Sequence, residues 1–346
     1  WQPLEKALQG VKAISYSPAG LLHKIALGAL PVGTTDNQLL QDRYNMHLVS
    51  STREVNRLKK ENANMMATDR VTLYGGLQYD HRPTAPSLAK TTSAATQSYI
   101  HHHHRSFNVA PPHLLRGAGD VPDGWNYLEG TRTETREIVS VLQQKRISNR
   151  YYSGTNGKEE TFKALSGTPV HVIHLATHGF FLPDVVVKRR PELAQMLGGD
   201  DEERVVENPL LRSGLVLSGV NKAWMAKEPV NAADEEDGIL TADEISKLNL
   251  TKTKLVVLSA CETGLGDINN SEGVFGLQRA FKLAGAESLI MSLWKVPDEA
   301  TSLLMRSFYE QWIGGASKQA AFKAAQKRVR ERYVEPYYWA AFVMMD

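Results

Sequence analysis

Short apolar runs alternate with longer amphipathic stretches along most of this chain. The runs "VHVIHLATHG" (170–179), "KLVVLSAC" (254–261) and "ESLIMSLWKV" (287–296) have the length and the β-branched content of buried strands. Helical periodicity before, between and after these runs predicts helices near 131–145 and over 158–167, 271–285, 298–313 and 317–333. Continuous apolar strands between amphipathic helices predict an α/β fold, with a mostly parallel sheet covered by helices on both faces.

The first part of the chain shows the same alternation in shorter pieces. Strands are predicted at 13–17, 46–51 and 70–79, with a helix over 52–66. From about residue 80 to 112 the sequence turns to Pro, Ser, Thr, Ala and His, and no apolar period survives. This composition predicts a long flexible loop.

The loop divides the chain into an N-terminal half, residues 1–120, and a second half, residues 121–346. Within the second half, a polar stretch over 183–237 interrupts the alternation and indicates an insertion at the rim of the sheet. Thr241, followed three residues later by an acid, predicts a capping box at a helix start. The run 337–345 is predicted as a last strand.

Charge and composition narrow the classes of function. Lys+Arg number 40 against 38 Asp+Glu, so no bulk attraction to nucleic acid is indicated. One cysteine cannot form an intramolecular disulfide, which favours a reducing, cytoplasmic location. No apolar run is long enough to span a bilayer. Because the chain starts at Trp1, we expect it to be a processed chain or a fragment.

The only cysteine, Cys261, stands at the carboxyl end of a predicted strand, and His178 stands at the end of another. In open parallel sheets, reactive groups gather outside these ends. An imidazole near a thiol makes thiolate available at neutral pH and later protonates a leaving amine. The N–H groups of Gly179 and Cys261 could hold the oxyanion. Spacing alone leaves an alternative open, in which Cys261 is a small buried residue and His178 a loop histidine.

Longer motifs connect these two residues. The segments "HLATHGFF" (174–181) and "LVVLSACETGLG" (255–266) are followed by "EGVFGLQRAFKLAGAESLIMSLWKVPDEAT" (272–301) and "PYYWAAFV" (336–343). Together they resemble the CHAT domain family, caspase-like cysteine peptidases of the group that includes caspases, separase and gingipains. The resemblance covers most of residues 70–346 and, more loosely, the first 70.

The resemblance implies roles for particular residues. His178 matches the catalytic histidine and Cys261 the nucleophile, with the N–H groups of Gly179 and Cys261 as oxyanion donors. It also implies that residues 1–120 form a caspase-like half without the dyad. Tetratricopeptide repeats or a sensor region are expected upstream or as a partner, and the family context is bacterial defence or cell-death signalling.

Specificity is less readable from the sequence. Caspases select Asp with an arginine-lined pocket, and no counterpart is fixed by a motif here. The candidates near the active-site strands are acidic instead: Glu262, Asp267, Glu272 and Asp298. An acidic pocket would favour cleavage after a basic residue, whereas Asp298 and Glu272 could simply occupy first turns of helices. The basic run in 185–193 is then a candidate site of self-processing, or else a solvated loop.

Other motifs are interpreted as structural. His101–His104 form a histidine tract without the partners that complete a metal site, and no metal or cofactor is predicted. Strand alternation directs His171 away from His174 and His178, and His174 is interpreted as a core or supporting histidine. "GLGDINNSEG" (264–273) lacks both phosphate-loop spacings.

The sequence therefore predicts a cysteine endopeptidase acting on a protein substrate through a Cys–His dyad and an acyl-enzyme. A catalytically silent caspase-like scaffold that binds partners is the alternative, and a small-molecule thiol transferase is a third class. Neither membrane association nor direct binding of nucleic acid is predicted. The substrate, the activating signal and the oligomeric state are not encoded in any motif.

Overall fold

A computed structural model describes residues 2–32, 38–55, 64–80, 124–181, 186–188, 202–204, 209–225, 236–259 and 272–346. Within these ranges the strands form an eight-stranded sheet, a three-stranded sheet and a two-stranded sheet. The strands are β1 (Ala13–Tyr16), β2 (Asn45–Leu48), β3 (Arg70–Leu77), β4 (Ser148–Gly154), β5 (Val172–Leu175), β6 (Gly179–Phe181), β7 (Val186–Lys188), β8 (Glu202–Arg204), β9 (Ser213–Val216), β10 (Ile239–Thr241), β11 (Leu255–Leu258), β12 (Leu289–Ser292) and β13 (Phe342–Met345).

The helices of the described residues connect and cover these strands. They are α1 (Gln2–Glu5), α2 (Leu40–Arg43), α3 (Glu129–Gln144), α4 (Glu159–Lys163), α5 (Asn221–Trp224), α6 (Ala242–Ser246), α7 (Glu272–Leu283), α8 (Asp298–Ile313), α9 (Lys318–Arg332) and α10 (Pro336–Trp339). Short 3₁₀ turns span Gly20–Lys24, Leu27–Ala29, Thr52–Glu54 and Pro209–Leu211. None of these helices is long and apolar enough to cross a membrane.

The large sheet has the order β1-β2-β13-β12-β11-β5-β3-β4. Strands β12, β11, β5, β3 and β4 run parallel, and β13 pairs antiparallel with β12. Because β13 also pairs parallel with β2, and β2 with β1, these three strands run opposite to the other five. The predicted α/β fold with a mostly parallel sheet is confirmed.

Both faces of this sheet are buried, as the continuous apolar strands predicted. In β11, Val256 and Leu258 pack in one core with Phe281 of α7, on one face. Leu255 and Val257 pack in a second core on the other face, with side chains of α3, α8 and α9. Alternate residues of one strand therefore serve opposite layers, which is why the strand tolerates no polar position along its length.

The two predicted halves contribute strands to the same sheet. β3, from the first half, lies between β5 and β4, while β1 and β2 extend the sheet beyond β13. The division near residue 120, and an N-terminal half of caspase type, stay predictions. Within the 52–66 run, the structure describes a 3₁₀ turn at Thr52–Glu54, and residues 56–63 lie outside the described ranges. Residues 81–123 also lie outside them, and so does nearly all of the predicted flexible loop.

The predicted last strand over 337–345 is partly wrong. Its first residues form α10, and only Phe342–Met345 is a strand. Pro336 occupies the first turn, where its fixed φ favours a helix and its missing N–H is not needed. The large apolar side chain of Trp339 is buried from this helix and not from a strand, so the apolar run alone did not distinguish the two.

Strand β9 belongs to the small sheet, although it lies inside the predicted 183–237 insertion. It pairs antiparallel with β6 on one side and β10 on the other, and all four of its residues are buried. The predicted capping box follows β10 and is confirmed. Glu244 N donates to Thr241 Oγ1 at 3.2 Å, and Thr241 N donates to Glu244 Oε2 at 2.9 Å.

Candidate active site

The carboxyl ends of β5 and β11 lie side by side in the sheet. Leu175 is the partner of Leu258 in the parallel ladder, and Ser259 N donates to the Leu175 carbonyl at 2.9 Å. His178 comes three residues after Leu175, and Cys261 comes three residues after Leu258. Neighbouring strands are about 4.8 Å apart, so the two segments leave the sheet as neighbours. Cys261 itself lies outside the described residues.

His178 is held by a backbone carbonyl. Its Nε2 lies 2.8 Å from the carbonyl oxygen of Asn126, in the segment that leads into α3. A carbonyl oxygen only accepts hydrogen bonds, so Nε2 carries the proton. In the neutral imidazole the lone pair is therefore on Nδ1. This is the tautomer in which Nδ1 can take a proton from another group.

Aromatic rings enclose this histidine, which is 7% exposed. Its ring centroid lies 5.0 Å from that of Trp125 and 5.1 Å from that of Tyr79. Burial raises the pKa of Tyr79 to about 12, and its hydroxyl lies 2.9 Å from Thr177 Oγ1. The Thr177 hydroxyl in turn donates to the Val216 carbonyl at 2.6 Å. The imidazole thus has a fixed position and little contact with water.

Gly179 begins β6, directly after the histidine. Val216 N donates to the His178 carbonyl at 3.0 Å, so residues 178 and 216 form a hydrogen-bonded pair of the antiparallel ladder. Such pairs alternate with non-bonded pairs, and Gly179 is the partner of Leu215 in the next one. The N–H of Gly179 therefore points away from β9. Among the described residues β6 has no second neighbouring strand, so this N–H faces the open edge of the small sheet.

A buried polar cluster lies below the ends of β5 and β11. Glu134 of α3 accepts from His174 Nε2 at 3.0 Å and from Ser259 Oγ at 2.9 Å, through its two carboxylate oxygens. His174 Nδ1 lies 3.3 Å from the Tyr309 hydroxyl of α8. Burial and the charge of Glu134 raise the pKa of Tyr309, which stays protonated. One carboxylate thus links the strand that precedes His178 to the strand that precedes Cys261.

The histidines of the 171–178 run have separate partners. His171 Nδ1 accepts from Arg70 N at 3.1 Å, at the opposite end of β5. His174 is fully buried, in agreement with its interpretation as a core or supporting residue. The three rings therefore do not converge on a common ligand.

Asp298 is the one acidic pocket candidate whose side chain the structure describes. It is exposed, begins α8, and its carboxylate lies over Gly130 so closely that a β-carbon there would have no room. Gly130 is the second residue of α3, four residues after Asn126. The N-termini of two helices thus stabilise this negative charge near the segment that contacts His178. Glu272 begins α7, and Glu262 and Asp267 lie outside the described residues.

A second acidic cluster is occupied by a lysine. The Lys163 ammonium lies 2.8 Å from Glu159 Oε1, 2.9 Å from Glu236 Oε2 and 2.8 Å from Glu244 Oε1. Burial and the neighbouring Glu244 raise the pKa of Glu159 well above its usual range. The ammonium already supplies the cation that these carboxylates need, so the cluster serves to hold β10 and α6 against α4.

Sequence reasoning missed the groups that position the histidine. The Asn126 carbonyl carries no side-chain signal at all, since any residue has one. Tyr79 is the last residue of the predicted strand over 70–79, and Trp125 lies outside the predicted helices, strands and loop. Glu134 could have been noticed as an acid on the apolar face of a predicted helix, because such residues are seldom buried without a partner.

This fold is the caspase-like fold of cysteine proteinases. It is similar to the crystal structure of the Arg specific cysteine proteinase gingipain R, with a TM-score of 0.51 and 10% identity, covering 99% of this chain and 65% of that chain. The complex of Porphyromonas gingivalis RgpB pro- and mature domains gives a TM-score of 0.50, also at 10% identity, covering 99% of this chain and 66% of that one. Likeness at this identity shows the fold alone.

The chain belongs to the CHAT domain family, whose family model matches residues 1–346. Over 109 residues it is 34% identical to Tetratricopeptide repeat protein 28 of Homo sapiens and 33% identical to that of Mus musculus. The aligned part covers 31% of this chain and 4% of each relative, so the chain spans a small share of their length.

Proposed function

We propose that this chain is a cysteine endopeptidase in which Cys261 is the nucleophile and His178 is the general base and acid. The observation that carries the proposal is the pairing of β5 with β11. Leu175 lies opposite Leu258, and each proposed catalytic residue follows its strand by the same three positions. Because the two strands are neighbours and each residue follows its strand by three positions, the thiol and the imidazole are expected to lie close together at one edge of the sheet.

The proposed first step is a proton transfer. A free thiol has a pKa of about 8.5, so little thiolate is present at neutral pH without a base. His178 Nδ1 takes the thiol proton, and the thiolate attacks the carbonyl carbon of the scissile bond. The imidazolium formed still donates from Nε2 to the Asn126 carbonyl, whose dipole stabilises the new charge.

The remaining steps follow from the same groups. As the carbon–sulfur bond forms, negative charge develops on the carbonyl oxygen, and the N–H of Gly179, with that of Cys261, is proposed to donate to it. The imidazolium then gives its proton to the leaving amine, and the carbon–nitrogen bond breaks. His178 next takes a proton from water, whose oxygen displaces the thiolate from the acyl-enzyme and releases the acid.

Active-site labelling tests this proposal. A peptidyl acyloxymethyl ketone should add one peptidyl group to the wild-type chain, and Cys261→Ala and His178→Ala should abolish the addition. His171→Ala, a histidine at the opposite end of β5, is the matched control and should label like wild type. If the wild-type chain is neither labelled nor able to cleave any peptide of a library, the catalytically silent scaffold is the better description.

We also propose that cleavage follows a basic residue and that Asp298 contributes to this preference. Its exposed carboxylate lies beside Gly130, near the segment that contacts His178. Asp298→Ala should lower kcat/KM for substrates with Arg or Lys before the cleaved bond at least about tenfold, with little change for neutral ones. Glu299→Ala, the exposed neighbour on the same turn, is the control. A peptide library that favours acidic or apolar residues would exclude basic specificity.

Two regulatory features complete the proposal. If cleavage follows basic residues, self-processing within 185–193 would appear as a mass change on incubation of the wild-type chain, and Cys261→Ala would prevent it. The relatives named for tetratricopeptide repeats support an upstream or partner sensor module. Adding such a module should then change the labelling rate of Cys261.

A further inference from the structure

Asn221 binds both backbone groups of the residue that precedes Asn126. Its side chain is buried, with 4% exposure, at the start of α5. The side-chain Oδ1 accepts from Trp125 N at 2.7 Å, and Nδ2 donates to the Trp125 carbonyl at 3.0 Å. Nδ2 also donates to Asp80 Oδ1 at 2.8 Å. One amide thus makes three hydrogen bonds in the region next to His178.

The neighbours of this amide permit one orientation only. A backbone N–H donates, while a carbonyl and a carboxylate accept, so exchanging Oδ1 and Nδ2 of Asn221 would break all three bonds. The backbone of Asn221 is also fixed, since its N–H donates to the Tyr79 carbonyl at 3.0 Å. Gly219 N donates to the Gln78 carbonyl at 3.0 Å, two residues earlier. Asn221 is therefore a rigid link between the end of β3 and Trp125.

Holding Trp125 also holds the partner of the histidine. The Trp125 carbonyl belongs to the peptide unit that leads into Asn126, and the next carbonyl along is the one that accepts from His178 Nε2 at 2.8 Å. The Trp125 ring lies 5.0 Å from the His178 ring. A shift of Trp125 would therefore move both the hydrogen-bond acceptor and one wall of the histidine site.

We propose that Asn221 is a positioning residue, which keeps the proton of His178 on Nε2 by fixing the Asn126 carbonyl. It acts through the backbone of Trp125 and leaves Nδ1 as the base. Its catalytic consequence rests on the proposed peptidase function, whereas its effect on the imidazole does not. A residue outside the dyad and its oxyanion donors thus determines which nitrogen is available to the thiol.

The direct test reads the tautomer of His178 by NMR of the full chain labelled with ¹⁵N-histidine, with His178→Gln to assign the signal. Wild type should show the Nε2–H form. Asn221→Ala should show a mixture of tautomers and a changed titration of this ring. Asn149→Ala in β4, which removes a side-chain hydrogen bond to the Ile147 carbonyl, should leave the His178 signal unchanged. An Nδ1–H form in wild type, or an unchanged signal in Asn221→Ala, would overturn the proposal.

A paired exchange keeps the test informative if Asn221→Ala does not fold. Asn221→Asp should disturb the tautomer strongly, because it sets a carboxylate against Asp80 and against the Trp125 carbonyl. Adding Asp80→Asn returns a donor to this contact and keeps an acceptor for Trp125 N. The double variant should therefore recover part of the wild-type tautomer. A double variant no better than Asn221→Asp would count against the link.

Thiol reactivity separates this inference from the peptidase proposal. Cys261 is the only thiol, so iodoacetamide uptake reports on it alone. At pH 7, Asn221→Ala should react about tenfold more slowly than wild type, and near pH 10 the rates should converge, because hydroxide ionises a thiol of pKa about 8.5 without a base. If the tautomer responds but wild-type Cys261 shows no enhanced rate at pH 7, the positioning role stands and the peptidase proposal fails.

Discussion

Replacing Glu134 with alanine should destabilise the chain strongly. Its two carboxylate oxygens accept from His174 Nε2 at 3.0 Å and from Ser259 Oγ at 2.9 Å. Both partners are buried, as is Glu134 itself. The substitution therefore removes two hydrogen bonds at once and leaves two polar groups without water to replace the carboxylate.

The magnitude follows from the number of groups left unpaired. Each buried donor that loses its partner costs about 1–3 kcal/mol, so Glu134→Ala should lower the free energy of unfolding by about 2–6 kcal/mol. Glu134→Gln keeps one acceptor and one donor in the same shape and should lose about 1–2 kcal/mol. A native domain is stable by only about 5–15 kcal/mol, so the alanine variant should be visibly weakened.

Urea unfolding followed by tryptophan fluorescence measures this difference. The matched control is Glu137→Ala, one turn further along α3, where the carboxylate accepts from Ser302 Oγ at 2.8 Å in a partly exposed position. Water can replace that bond, and the loss should stay within about 1 kcal/mol. If Glu134→Ala and Glu137→Ala unfold within about 1 kcal/mol of each other, the buried cluster does not hold β5, β11 and α3 together as argued.

Three further substitutions test other parts of the fold by urea or thermal unfolding. Lys163→Met should cost about 3 kcal/mol at pH 8, because Glu159 would stay buried without its cation. This loss of stability should shrink as the pH falls toward 5. The pKa of Glu159 is raised, so the native state binds more protons than the unfolded chain, and a protonated Glu159 no longer needs a cation. A loss of stability that grows as the pH falls would refute this. Thr241→Ala should lose about 1–2 kcal/mol with the capping box, and a neutral result would contradict it. Gly76→Val should lose at least about 2 kcal/mol, because φ is +62° and a β-carbon would lie 2.8 Å from Arg132 Cβ; an unchanged midpoint would contradict that.

The helices and strands of the second half could be predicted because each depends on a local pattern of apolar residues. The helix predicted over 298–313 spans Asp298–Ile313, and strands β5, β11 and β12 lie within their predicted runs. Each is decided by a period of apolar residues that faces a buried layer. The order of the strands in the sheet is not local, since β3 is inserted between β5 and β4 by contacts far apart in sequence. Likewise, the apolar run 337–345, directly after Pro336, was predicted as one strand, and its residues are divided between α10 and β13.

The candidate site divides in the same way. A histidine at the end of an apolar strand is visible in sequence, and so is its relation to the end of β11. Its partner is a backbone carbonyl, and every residue offers one, so no pattern could identify Asn126. Asn221 could not be identified from the sequence either, because the sequence does not distinguish a buried asparagine with three hydrogen bonds from a solvated one. Such residues are found only when their donors and acceptors are counted in three dimensions.

The two proposed catalytic residues are supported by separate parts of the molecule. The end of β11 is tied by Ser259 to Glu134 of α3, within the layer that covers the large sheet. The histidine depends instead on Asn126, and through it on Asn221 at the end of the small sheet. The segment that carries Asn221, residues 209–225, lies inside the predicted insertion, while Glu134 lies in α3, one of the helices that cover the large sheet. On the proposed role of Asn221, a change in the insertion should therefore alter the tautomer of the histidine, while Glu134 still holds the strand that leads to the thiol.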